Sequence, residues 1–565
     1  MTGVVLAAGS GSGIQLSLSW VDYLMLAIYF VVVLAIGFVA RSRVKTSMDF
    51  FLSGRSLPAW ITGLAFVAAN LGATEILGMA ANGAQIGMAT LHYYLIGAVP
   101  AMVVLGLFLM PFYYGSKVRS VPEFMLRRYG KGPHLVSSIA FAVSNVLIAG
   151  INLYAMAIVI EAMLGWPEWL AIIVSAAFVL AYIVLGGLSS AIYNEVMQFF
   201  VIIAGLVPLT IVGLNRVGGW GGLVKAFEKT DSVQHLSTWA GTAIGDVTNP
   251  IGADWLAIVF GLGFVLSFGY WTSNFTEIQR ALSAKNMSAA RRTPLIAAFP
   301  KLFIPFVVIV PGVIGAAVLG NQLSATPHGD QLPFNDVIPK LMQMYLPSGV
   351  LGIAVTGLLA SFMAGMAANV SSFNTVFTYD IWQRYIKPKM SDAYYLVTGR
   401  WVTVAGVVVG IGTAFIAAQA SNIMTYLQTL FSFFNAPLFG VFVLGVLWKK
   451  MTPAGALWGY ILGIIAPALV FIDYTFVNKK LFETATAETM YGAIISFVVV
   501  LVFGVVISLF TKKKPIDQLG GLVYGVGKID LTGDAMVGDQ AWYRSPVLLG
   551  VIALALCIVL YLPFL

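Results

Sequence analysis

The chain has 565 residues, 59% of them hydrophobic and only 10% charged. Soluble domains are nearer a quarter charged, so this composition excludes an ordinary soluble enzyme and points to a polytopic membrane protein. The net charge of +8 is gathered in alternate loops, a sign of membrane orientation and not of nucleic-acid binding.

A bilayer span needs roughly 20 mostly apolar residues. Fourteen such segments are predicted, at 18–40, 57–82, 86–113, 134–162, 167–186, 191–214, 254–280, 295–320, 350–378, 399–418, 424–446, 453–472, 488–510 and 545–564. Backbone groups in lipid must be paired within the protein, so these are helices. The stretch MTGVVLAAGSGSG has no basic run, and no cleavable signal peptide is expected. Basic residues follow the odd-numbered spans: Arg41, Arg43, Lys45 and Arg55, then Lys117, Arg119, Arg127, Arg128 and Lys131. The alternation continues to Lys512–Lys514, Lys528 and Arg544 and puts 24 of the 31 Lys and Arg on one side. That side is predicted cytoplasmic, with both termini outside and the chain a multi-pass protein of the plasma membrane. Short helices are expected in the long outside loops 215–253 and 321–349.

The second span carries AFVAANLGATEILGM, with Asn70, Gly72, Thr74 and Glu75 where apolar side chains would suit lipid. A break is predicted at Ala68–Gly72, and a matching one in the seventh span around SFGYW, 267–271. Spans five apart run in opposite directions, and paired broken helices mark a midplane binding site between inverted repeats. The domain plan is therefore one transmembrane unit, 1–565. It has an extra helix at 18–40, repeats at 57–214 and 254–446, and accessory helices at 453–564.

Glu75 costs about 3 kcal/mol at a helix centre and is read as facing a wet cavity, against a structural pairing with another helix. Thr74 and Asn70 either line that cavity or tie down freed backbone. By position Lys301 snorkels to the interface. Glu195 either attracts a cation or pairs with a basic loop, and Gln428 lies in the eleventh span. Tyr270 and Trp271 can stack on a sugar face or simply pack. The single cysteine, Cys557, excludes an internal disulfide, and the four His at 92, 134, 235 and 328 form no HExxH. Neither GxSxG nor a P-loop is present, so neither hydrolase chemistry nor a nucleotide-driven pump is expected, and no cofactor.

The motifs DFFLSGRSLPAW (49–60), AFVAANLGATEILGM, SVPEFMLRRYG (120–130), LGGLSSAIYNEVMQ (185–198), EIQRALSAK (277–285), FTYDIW (377–382) and VLGVLWKKMTPAGA (443–456) together resemble the sodium/solute symporter family, especially its sodium/glucose (galactose) branch. The resemblance implies an all-α, LeuT-like fold of about 14 helices with a five-plus-five inverted-repeat core. It implies a sugar site at Glu75, Met79, Tyr94, Gly97, Ser267, Lys301 and Gln428. It makes Tyr270 an inner gate, with Asn70 as partner and Trp271 beside it, and turns Lys301 from snorkelling towards sugar hydroxyls. Glu75, Tyr94, Gly97 and Ser267 depart from the bacterial galactose pattern of Gln, Glu, Ser and Asn, so the hydrogen-bond set is rearranged.

The family's cation site falls on the carbonyls of Ala68, Leu71 and Ser361 and on a serine pair that is here Ala364 and Gly365. Both hydroxyls are gone. Substitute oxygens from Ser361, Glu195 or water, a sodium site elsewhere, proton coupling through Glu75 or Glu195, and no coupling all remain open. The function expected is uptake of a sugar-like solute, a hexose such as galactose or glucose, by sodium-coupled alternating access. The alternatives are proton-coupled or uncoupled sugar transport, another small polar solute, and a channel or sensor on the same fold. The partners expected are the solute, the coupling cation and the bilayer.

Overall fold

The computed structural model describes residues 14–41, 46–115, 118, 120–230, 232–325, 331–420, 422–477, 481–526 and 541–565. The N-terminal stretch 1–13, the loop cations Arg43, Lys45, Lys117, Arg119 and Lys528, and His328 lie outside these residues. Among the described residues twelve helices are long and apolar enough to cross a membrane, or thirteen if a bent pair counts as one span.

In chain order, α1 is Trp20–Val39, and the bent pair is α2 (Ala59–Asn70) and α3 (Thr74–Leu91), meeting at 61°. Then come α4 (Tyr93–Tyr114), α5 (Lys131–Leu164), α6 (Glu168–Ala181) and α7 (Gly187–Val217). The chain continues through α8 (Ala257–Leu282), α9 (Met287–Gln322), α10 (Val350–Ile386), α11 (Asp392–Ala417) and α12 (Ile423–Leu447). It ends with α13 (Pro453–Val477), α14 (Ala485–Phe510) and α15 (Pro546–Phe564). The segment expected as a fifth span, 167–186, contains only the shorter apolar α6. Helical backbone runs on from it into α7 but turns at Gly187, with φ 56° and ψ −148°. A side chain there would also meet the Phe50 carbonyl, so the kink requires glycine.

Burial sorts the helices into centre and rim. In α10, 89% of the apolar window is buried, against 28% in α1 and α14 and 17% in α15. The α10 sequence VTGLLASFMAGMAANVSS is rich in Gly, Ala and Ser, which let neighbouring helices approach closely. Helices α3 and α9 touch through backbone: a Cβ on Gly312 would lie 2.1 Å from the Ala80 carbonyl. At the other end of the bundle the Asp22 carboxylate accepts the Gly349 and Gly352 amides at 2.7 and 2.8 Å. It thereby caps α10 with the charge that its dipole favours and ties α1 to the centre. The two long loops carry the expected short helices, Gly219–Lys229 and Val337–Tyr345.

Two broken helices are present. The first lies where the sequence places it, at Leu71–Gly72 (Leu71 ψ 46°). The second is not within 267–271, where the backbone stays helical. It is at Asn274, whose extended backbone (ψ 120°) separates Gly269–Ser273 from Phe275–Leu282. Asn274 restarts the helix itself, its side chain accepting the Thr276 amide at 2.9 Å.

Candidate functional site

Where the two broken helices face each other they enclose a cavity of about 700 Å³ of atom-free space, counting its open mouth. Glu75, Met79, Tyr94, Ser267, Tyr270, Trp271, Lys301 and Gln428 all line it, with Asn70 and Thr74. Gly97 does not line it but lets Ser267 approach: a Cβ at 97 would lie 2.2 Å from the Ser267 Cβ.

Lys301 does not snorkel. Its side chain is buried, with Nζ 2.6 Å from Glu75 Oε1 and donating also to Asn70 Oδ1. The ammonium sits 5.0 Å from the Tyr94 ring centre and 5.1 Å from that of Trp271. These aromatic faces favour a desolvated cation. Glu75 therefore both lines the cavity and pairs with another helix. Gln428, which lines the cavity, has its Oε1 buried and without a hydrogen-bond partner among the described residues.

Asn70 and Tyr270, expected as gate partners, are in contact. Asn70 donates to the Tyr270 hydroxyl at 3.3 Å, and Tyr270 stacks on Phe431 with ring centres 4.7 Å apart. The Tyr270 hydroxyl in turn donates to Glu277 Oε1 at 2.6 Å. Glu277 is buried and lines the cavity, and it was quoted only within a motif in the reading of the sequence. Its signal was a carboxylate three residues past the true helix break. Asn152 and Asn369 also line the cavity and were not singled out.

The positions expected to hold a cation are all buried, but they are packed. The Ser361 hydroxyl donates to the Leu71 carbonyl, and the Ala68 carbonyl accepts the Leu71 amide at 3.1 Å. Ala364 is fully buried. A Cβ on Gly365 would lie 2.5 Å from Asn152 Oδ1 and 2.9 Å from the Gly72 Cα. The Asn152 amide from α5 thus fills the notch between Gly72 and Gly365. Its Oδ1 accepts the Ala73 amide at 2.9 Å, and its Nδ2 donates to the Ile148 carbonyl at 3.0 Å. Glu195 is outside the cavity lining, with both oxygens taken by the Arg280 guanidinium and both side chains fully buried.

A helical bundle with two broken helices around a central cavity lined by polar side chains is the architecture of a secondary transporter. The model of the sodium:solute symporter family matches residues 50–463, and the chain belongs to that family. Its relatives are transporters and not enzymes. The sodium/glucose cotransporter of Vibrio parahaemolyticus is 28% identical over 478 residues, covering 82% of this chain and 87% of that protein. The sodium/myo-inositol cotransporter 2 of Rattus norvegicus is 29% identical over 489 residues, covering 82% and 72%. The substrate-bound outward-open structure of a Na+-coupled sialic acid symporter shares the fold. Its TM-score is 0.72 at 18% identity, covering 88% of this chain and 99% of that one.

Proposed function

We propose that this transporter takes up an uncharged, polyhydroxylated solute, a hexose or an inositol, by alternating access around the central cavity. The observation that carries the reading is the cavity's chemistry. Tyr94, Trp271, Tyr270 and Phe431 line the cavity with aromatic rings, and Gln428 Oε1 supplies an acceptor without a partner among the described residues. Sugar rings present the matching combination of apolar face and hydroxyl rim. Because Lys301 and Glu75 neutralise each other, neither offers a free charge to an anionic or cationic cargo. The names of the relatives, glucose and myo-inositol cotransporters, support the same solute class.

The repeats at 57–214 and 254–446 rock about the cavity, with 18–40 and 453–564 as flanking helices. The basic side faces the cytoplasm and both termini face outward, by the charge asymmetry of the loops. The sodium in the relatives' names makes a sodium gradient the first driving force to test. The Asn152 amide between Gly72 and Gly365 favours a second reading, in which sodium does not bind there and a proton drives uptake. Uptake of radiolabelled galactose, glucose and myo-inositol into proteoliposomes, with a sodium gradient, a pH gradient or neither, tests both. Saturable uptake of at least one is expected, and uptake of none would overturn the solute assignment.

A further inference from the structure

We propose that Glu277 binds the coupling cation of this transporter and that the cation is a proton; the inference rests on reading the central cavity as the solute site. Glu277 lies in the first turn after the Asn274 break, is buried, and lines the cavity. One carboxylate oxygen accepts from Tyr270 at 2.6 Å. The other, Oε2, is buried and has no hydrogen-bond partner among the described residues.

The charged and titratable groups facing it are Tyr270 and Arg280 on its own helix, Lys301 on α9 and Glu195 on α7, with Glu75 on α3 behind Lys301. The walls from α2, α5 and α10 present the neutral amides Asn70, Asn152 and Asn369. Both bases are already committed. The Arg280 guanidinium donates to both oxygens of Glu195, to the Thr276 carbonyl at 2.8 Å and to Gln279 Oε1 at 3.3 Å. Lys301 is held by Glu75 and Asn70. Among the described residues Glu75, Glu195 and Glu277 thus face only Lys301 and Arg280, and the cluster is short of one positive charge when all are ionised. A buried carboxylate oxygen without a partner is strongly unfavourable.

One monovalent cation restores neutrality, and the geometry selects among cations. A hard metal ion wants about six oxygens around it, and Glu277 offers a single oxygen, Oε2, that has no hydrogen-bond partner among the described residues. A proton needs only the one oxygen. With the cavity open to the proton-rich side, a proton from water forms an O–H bond at Glu277 Oε2. With the cavity open to the other side that bond breaks and the proton returns to water. Tyr270 keeps its own proton throughout. Because Tyr270 also bonds Asn70 and stacks on Phe431, it links the charge of Glu277 to the gate.

The test uses the full chain in sodium-free proteoliposomes with radiolabelled galactose, glucose and myo-inositol. A one-unit inside-alkaline gradient supports about tenfold accumulation of a neutral solute carried one-to-one with a proton. The wild type is expected to approach that ratio, and Glu277→Gln to bring solute only to equal concentrations, whatever its rate. Accumulation by Glu277→Gln equal to wild type overturns the proposal, as does wild-type accumulation that ignores the pH gradient and develops only in parallel vesicles given a sodium gradient. Failure of all three solutes counts against the solute reading alone, and infrared spectroscopy of the purified protein then decides the proton. In sodium-free buffer at neutral pH the wild type is expected to show a protonated-carboxyl band that Glu277→Gln lacks and that Glu277→Asp retains at a shifted frequency. Absence of that difference, or loss of the band on adding sodium chloride at constant pH, overturns the assignment.

Discussion

Lys301 Nζ lies 2.6 Å from Glu75 Oε1 inside the bundle, with 2% and 6% of the two side chains exposed. The sequence puts these residues in separate apolar helices, each paying an insertion cost alone, and the fold lets them offset each other. Removing one partner of a buried pair costs about 3–5 kcal/mol, because the other is left uncompensated, while removing both can be nearly neutral. Glu75→Gln and Lys301→Met should each lower the unfolding temperature markedly, and the double variant should recover much of the loss. Thermal unfolding of the four purified proteins gives the cycle, and strictly additive losses would show that the pair contributes no coupling.

The packing at Gly365 changes what its replacement should do. A serine there would restore a hydroxyl that the family resemblance leads one to expect, but its Cβ would press on Asn152 Oδ1 and the Gly72 backbone. Overpacking of this kind costs about 1–3 kcal/mol. Gly365→Ser alone should therefore destabilise the protein and bring no stabilisation by sodium. Adding Asn152→Ala should relieve the clash. Unfolding in sodium chloride against choline chloride reads both effects, and a sodium-dependent rise in Gly365→Ser would mean that the amide can move aside.

Much of this site was legible in the chain. The first break shows as Asn70 and Gly72 inside an apolar run, and the eight positions expected from the family resemblance, of which the quoted motifs hold only Glu75 and Met79, all line the cavity. What was not legible depends on which helix faces meet. Asn152 is one polar residue in LIAGINLYAM, and nothing local says that its amide reaches Ala73 across the bundle. Glu277 falls at the end of the predicted span 254–280 and shows as a cavity residue only once the break is placed at Asn274. Gly269 within SFGYW suggests an interruption there, but that stretch stays helical, with Phe439 packed against Gly269. For Glu195 the sequence leaves open a cation or a pairing with a basic loop, and Arg280 on both its oxygens makes it a pairing.

Tyr270 offers a separable test of the gate. Tyr270→Phe keeps the ring on Phe431 and removes the hydroxyl that accepts from Asn70 and donates to Glu277. Each hydrogen bond contributes about 1 kcal/mol net, so the balance between closed and open gate should shift by roughly an order of magnitude. Tyr270→Ala, which also loses the stack, should shift it further. Labelling of a cysteine introduced at Asn369, on the cavity wall, would rise in the order wild type, Phe, Ala. This is read in a Cys557→Ala background. Equal labelling in all three would remove Tyr270 from the gate.

Arg280 and Glu195 are fully buried and bonded through both carboxylate oxygens, and they stand behind the cavity and not in its lining. Arg280→Met leaves Glu195 uncompensated and should cost about 3–5 kcal/mol, as should Glu195→Met through the stranded guanidinium. The double variant removes one acid and one base, so the net charge of the buried cluster is unchanged and the space is filled by apolar side chains of similar reach. It should unfold close to the wild-type temperature. If it unfolds as early as Arg280→Met, the guanidinium is needed for its bonds to the Thr276 carbonyl and Gln279 at 2.8 and 3.3 Å. In that case its contribution is to the helix that carries Glu277 and not to charge balance.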